Sequence, residues 1–80
     1  MVIYKITDKT TGENFVDYTT VTVAQRIHIH LMSRSGSIGK NMLDKGINNF
    51  DVSVIDICPN IDDLAEALAY WKEYYNAINQ

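Results

Sequence analysis

Arg26 and His30 stand four residues apart, so a helix through them sets a guanidinium and an imidazole one turn apart on one face. Arginine offers a rigid planar fork that matches a phosphate, and imidazole gives or takes a proton near neutral pH. Tyr4, Lys5, Asp17 and Tyr18, from the strand-like segments preceding that helix, add hydroxyls and charges that can converge on the same face. With Arg26 and His30 they form a candidate site for a phosphate-bearing ligand. His28 falls on a different side of the helix, so at most one of the two histidines joins Arg26. Zinc-ligand spacings, a phosphate-binding glycine loop and a serine-nucleophile elbow are all missing from the sequence, which removes most standard enzyme classes. The carboxylates Asp62, Asp63, Glu66 and Glu73 read as a solvated helix face rather than a metal site.

Positioning those residues requires a strand, a turn and a helix start. Val2 to Thr7 alternates and is rich in β-branched and aromatic residues, so it is a strand; residues 8–12 carry turn chemistry, and Glu13 to Asp17 returns as the second arm of a hairpin. Thr22 and Gln25 have capping-box spacing, which predicts a helix start even though Ile27, Ile29 and Leu31 also alternate as a strand would. Its buried side is Val23, Ile27 and Leu31. Ser33 to Gly36 reads as a loop. Ser37 to Lys45 is a second helix, with Ile38, Met42 and Leu43 inward, Gly46 at its end, and Gly39 costing about 1 kcal/mol in its interior. Phe50 to Asp56 is a third strand. Asn60 caps a long last helix whose apolar stripe is Leu64, Leu68, Trp71, Tyr75 and Ile78. The order ββααβα over residues 1–80 makes one α/β (α+β) domain, a small three-stranded antiparallel sheet flanked by three helices.

Bulk properties bound the partners. Eighty residues support one core and one site, and 46% hydrophobic with 21% charged residues is ordinary for a folded domain. Residues 1–50 carry six Lys/Arg against four acids, whereas residues 51–80 carry Lys72 against six acids. With a net charge of −3 and a pI near 5.1, the chain lacks the basic footprint of most duplex-DNA binders. No apolar run spans a bilayer and no secretory leader is visible, so the expected setting is cytoplasmic, with no membrane partner. Cys58 is alone and is read as a small core residue.

In this order the chain resembles the GIY-YIG nuclease family. Val2-Ile3-Tyr4 matches its first motif and Phe15-Val16-Asp17 its second; Asp17 to Thr20 followed by Arg26-Ile27-x-x-His30 is similar to its Gly-Gln-Thr-Thr and Arg-Trp-x-x-His. Lys45 to Phe50 and Ala69 to Asn76 resemble its Tyr-Gly-x-x-Asn-Phe turn and closing tryptophan helix. The resemblance implies the fold above and DNA phosphodiester hydrolysis by a tyrosine cluster, a phosphate-steadying arginine and a glutamate that holds a divalent cation. Tyr4, Arg26 and His30 are retained. Phe15 lacks the second tyrosine's hydroxyl, Asp17 replaces a glycine, and Leu68 stands where the metal-binding glutamate belongs. Glu66 points about 200° away around the helix. The chain ends at Gln80, short of an asparagine that many members place beyond this helix.

Against that family, Tyr4, Phe15, Arg26, His30 and Leu68 read as a vestigial catalytic set without a metal. The expectation is a catalytically degenerate binding module for a nucleotide-like ligand, a nucleic acid or a protein partner, acting by sequestration or inhibition. The alternative is an active endonuclease that takes Mg²⁺ on Asp17 or Glu66. Self-association through the aromatic last helix is left open.

Overall fold

The computed structural model describes residues 1–33 and 37–76. Two strands, β1 (Val2–Asp8) and β2 (Asn14–Thr19), precede two helices, α1 (Val23–Ser33) and α2 (Ser37–Lys45). A third strand, β3 (Phe50–Ile57), and helix α3 (Leu64–Tyr74) complete the chain, with single 3-10 turns at Ile47–Asn49 and Ile61–Asp63. This is the expected order, with β1 at the centre of an antiparallel sheet ordered β2-β1-β3. Much of the expected loop at residues 33–36, and Ile78 of the apolar stripe, lie outside the described residues. No helix among the described residues is long and apolar enough to cross a membrane.

Strand periodicity divides the core in two, because alternate side chains of β1 and β2 point to opposite sheet faces. On one face Tyr4, Ile6, Phe15 and Phe50 meet Ile38 and Met42 of α2 and the Val23, Ile27 and Leu31 row of α1. On the other, Ile3, Val16 and Cys58 meet Leu64, Leu68, Trp71 and Tyr75 around α3. The pairing with β3 shifts register between Ile3 and Tyr4, a bulge that leaves Ile55 unopposed. Ile55 packs on the α3 side, and the next residue, Asp56, accepts a 2.9 Å hydrogen bond from Trp71 Nε1.

The hairpin is locked to α2. Asp8 accepts hydrogen bonds from the Thr10 amide and hydroxyl and forms an ion pair with Lys45 at the end of α2. At the start of α1 the Gln25 amide donates to Thr22 Oγ1, and Gln25 Oε1 accepts from the Thr22 amide, each at 3.1 Å. This reciprocal cap satisfies donors that only a helix leaves open, and it decides the helix against the competing strand pattern. Gly46 closes α2 with φ 91°, and its amide donates to Met42 O.

Three sequence expectations are corrected. β2 extends to Thr19, because Tyr18 and Thr19 complete the pairing with Ile3 and Val2. Asn60 accepts from the Asp62 amide and so caps the 3-10 turn that leads into α3, rather than α3 itself. Leu43 is exposed, since it sits about 100° around the helix from Met42, which occupies the core.

Candidate functional site

β1, β2 and α1 bring Tyr4, Phe15 and His30 together under the first helix layer. The Tyr4 hydroxyl lies 2.7 Å from His30 Nε2 in a buried hydrogen bond, and Phe15 meets the imidazole edge to face at 5.5 Å. Tyr4 is fully buried and His30 is 8% exposed, so this pair is part of the core. Burial, only partly opposed by the neighbouring Arg26 guanidinium, pushes the Tyr4 phenol up to about 12. Burial first, and then the same guanidinium, hold His30 below its ordinary value, so the imidazole is neutral at pH 7. Neutral His30 and protonated Tyr4 suit a single hydrogen bond between them.

Above this pair the charged residues meet. Arg26 Nη2 stands 3.8 Å from Asp17 Oδ2, both side chains only partly exposed, while the other Asp17 oxygen accepts from the Tyr18 amide at 2.8 Å. Arg26 Nε is buried, with no hydrogen-bond partner among the described residues. The pair forms one wall of a groove of about 320 Å³, with Tyr18, Thr19, Thr20, Val21 and Ile29 as the rest of its lining. Chemically the groove presents a guanidinium and a carboxylate side by side.

Not every sequence candidate arrives here. Lys5 points to the opposite sheet face, its ammonium 4.4 Å from the centroid of the Tyr75 ring. The alternation of β1 dictates this, since Lys5 shares a face with Ile3 and not with Tyr4. Leu68 likewise packs in the second core beside Ile3 and Val16, across the sheet from Tyr4 and His30. His28 is exposed and separate from His30, as the helical spacing requires. Among the described residues no three His, Cys, Asp or Glu side chains gather to hold a metal ion.

Two features escaped the sequence reading. The direct pairing of Asp17 with Arg26 joins residues nine apart across a turn, and only the closure of β2 onto α1 creates it. The apolar residues Val21 and Ile29 at the groove are exposed rather than packed. Their signal was available: they fall outside the Val23, Ile27, Leu31 row that fills the core.

Acid titration reads the site and the hairpin lock separately. Beside Lys45 and Thr10, the Asp8 carboxyl is held down at about 2 against an ordinary 3.8. A depressed folded-state value adds stability above the unfolded value and loses it as pH falls, so the Asp8 contribution disappears between about pH 4 and pH 2. His30 is depressed as well, so its contribution is lost earlier, as pH falls below 6.5. Thermal unfolding midpoints across pH should decline in these two windows; His30→Gln removes the first and Lys45→Met shrinks the second.

Comparisons with known proteins agree with this architecture. The family model for the GIY-YIG catalytic domain matches residues 1–80. The solved structure of the catalytic domain of the homing endonuclease I-TevI superposes with a TM-score of 0.74 at 20% identity, covering 94% of this chain and 87% of that one. No curated protein matches the chain.

Proposed function

The chain belongs to the GIY-YIG family, and from that premise we propose that it is a non-hydrolysing member that binds a phosphate-bearing ligand at Arg26. The observation that carries this reading is the Asp17–Arg26 pair, which lines an open groove with the Arg26 side chain partly exposed to it. A guanidinium so placed offers a phosphate oxygen charge-assisted hydrogen bonds. The neighbouring carboxylate sets a negative charge where successive backbone phosphates of a strand would follow, which favours a compact ligand over a duplex.

Several features oppose hydrolysis. Phe15 has no proton to relay, and the Tyr4 phenol is engaged with His30 and resists ionisation. Leu68 offers no oxygen to a cation and lies on the far sheet face. Asp17, already paired with Arg26, is no substitute for a complete oxygen set, so a divalent ion does not fit the donors among the described residues. The solved relative is the catalytic domain of a homing endonuclease, and in this reading the chain keeps that scaffold as a binding module.

The purified chain incubated with supercoiled plasmid and Mg²⁺ or Mn²⁺ should leave it intact, while a short 5′-phosphorylated oligonucleotide labelled for anisotropy should bind and be released by inorganic phosphate. Plasmid nicking that disappears in Arg26→Ala would overturn the proposal.

A further inference from the structure

The Arg26 groove continues past the charged pair. A second hollow of about 460 Å³, lined by Val21, Ala24, Gln25, His28 and Ile29, shares Val21 and Ile29 with the first. Val21 is 44% and Ile29 46% exposed, so the shared wall consists of apolar side chains that serve neither core. Gln25 and His28 bring an amide and an imidazole to an otherwise apolar shelf. Each hollow falls within the volume range of small-molecule sites, and Asp17 and Arg26 line only the first.

A ligand that fills both hollows carries an anion for Arg26, a largely apolar body for the shelf, and hydroxyl donors for Asp17. Inorganic phosphate supplies only the first, and a sugar phosphate supplies the first and third. Resting on the phosphate-binding reading above, we propose that the double hollow is a mononucleotide site: the phosphate on Arg26, the ribose hydroxyls on the Asp17 carboxylate, and the base on the shelf formed by Val21, Ala24 and Ile29. The assignment gives Asp17 a positive role. A carboxylate that repels a phosphate accepts a sugar hydroxyl readily, so the residue that disfavours a long strand helps to hold a single nucleotide. His28, with the Gln25 side-chain amide nitrogen that the Thr22 cap leaves unused, supplies the polar groups at the shelf.

Calorimetric titration of the full chain with AMP, GMP, ribose 5-phosphate, inorganic phosphate and a short single strand tests this. A nucleoside monophosphate should bind at least tenfold more tightly than ribose 5-phosphate. Ala24→Gln, an uncharged enlargement at an exposed position that lines only the second hollow, should erase that advantage and leave inorganic phosphate binding unchanged. Asp17→Ala should weaken the nucleotide and strengthen inorganic phosphate, opposite signs that an electrostatic role alone does not produce. Equal affinity for nucleotide and sugar phosphate, or a single strand preferred tenfold over the mononucleotide, would refute the mononucleotide assignment while leaving phosphate binding at Arg26 standing. Phosphate binding indifferent to Arg26→Ala, or no binding by any of these probes, would refute both.

Discussion

Gly39→Ala is expected to lower the thermal unfolding midpoint by roughly 8 to 16 °C, although alanine is the better helix former. A Cβ built at Gly39 lies 2.1 Å from the His30 carbonyl oxygen, far inside van der Waals contact, and the atom it meets is backbone. Relief therefore requires α1 and α2 to move apart. Overpacking of this kind costs about 1 to 3 kcal/mol where side chains can yield, and more where they cannot. The propensity gain of about 1 kcal/mol offsets only part of it. For a domain of this size each kcal/mol shifts the midpoint by about 4 to 8 °C. Separation of the helices would also strain the hydrogen bond between His30 and Tyr4, so a loss of near-UV signal from the buried tyrosine should accompany the shift. An unchanged or raised midpoint in Gly39→Ala would show that the helices cross less tightly than a 2.1 Å approach to the His30 carbonyl requires.

The same glycine marks the limit of what the chain discloses by pattern. A glycine inside a helix registers in sequence only as an expense, because its justification is a neighbouring helix many residues away. The elements themselves could be read because their signals are local: the Thr22–Gln25 box, the alternation of β1, and the α3 stripe through Leu64, Leu68, Trp71 and Tyr75 each contain the physics that forms them. Site membership was harder. Tyr4 and Lys5 are adjacent, yet strand alternation sends one to His30 and the other to Tyr75, and which face meets which helix is a tertiary fact. Arg26 and His30 were placed on one helical face by spacing, but their division of labour depends on depth: His30 is sealed under the helix, and Arg26 stops at the groove.

Arg26→Ala should reduce affinity for a short phosphorylated ligand by about a hundredfold, and Asp17→Asn should raise affinity for a polyanionic strand by about tenfold. Hydrogen bonds to a charged group contribute about 1.5 to 3 kcal/mol, and each 1.4 kcal/mol is a factor of ten. Removing Arg26 also strips Asp17 of its nearby cation, so the repulsion of an incoming phosphate rises as the attraction is lost. At an effective dielectric constant of 20, two like charges 4 Å apart repel by about 4 kcal/mol, an upper figure for Asp17 against a phosphate. Solvent and salt at this partly exposed groove reduce it to about 1.4 kcal/mol, hence the tenfold gain for Asp17→Asn. Because the two residues touch, their effects cannot add. The double variant should bind the strand better than Arg26→Ala alone by more than tenfold, since the carboxylate that repels it is gone. Strict additivity in this cycle, measured by anisotropy at low salt, would mean that Asp17 and Arg26 do not act on the same phosphate.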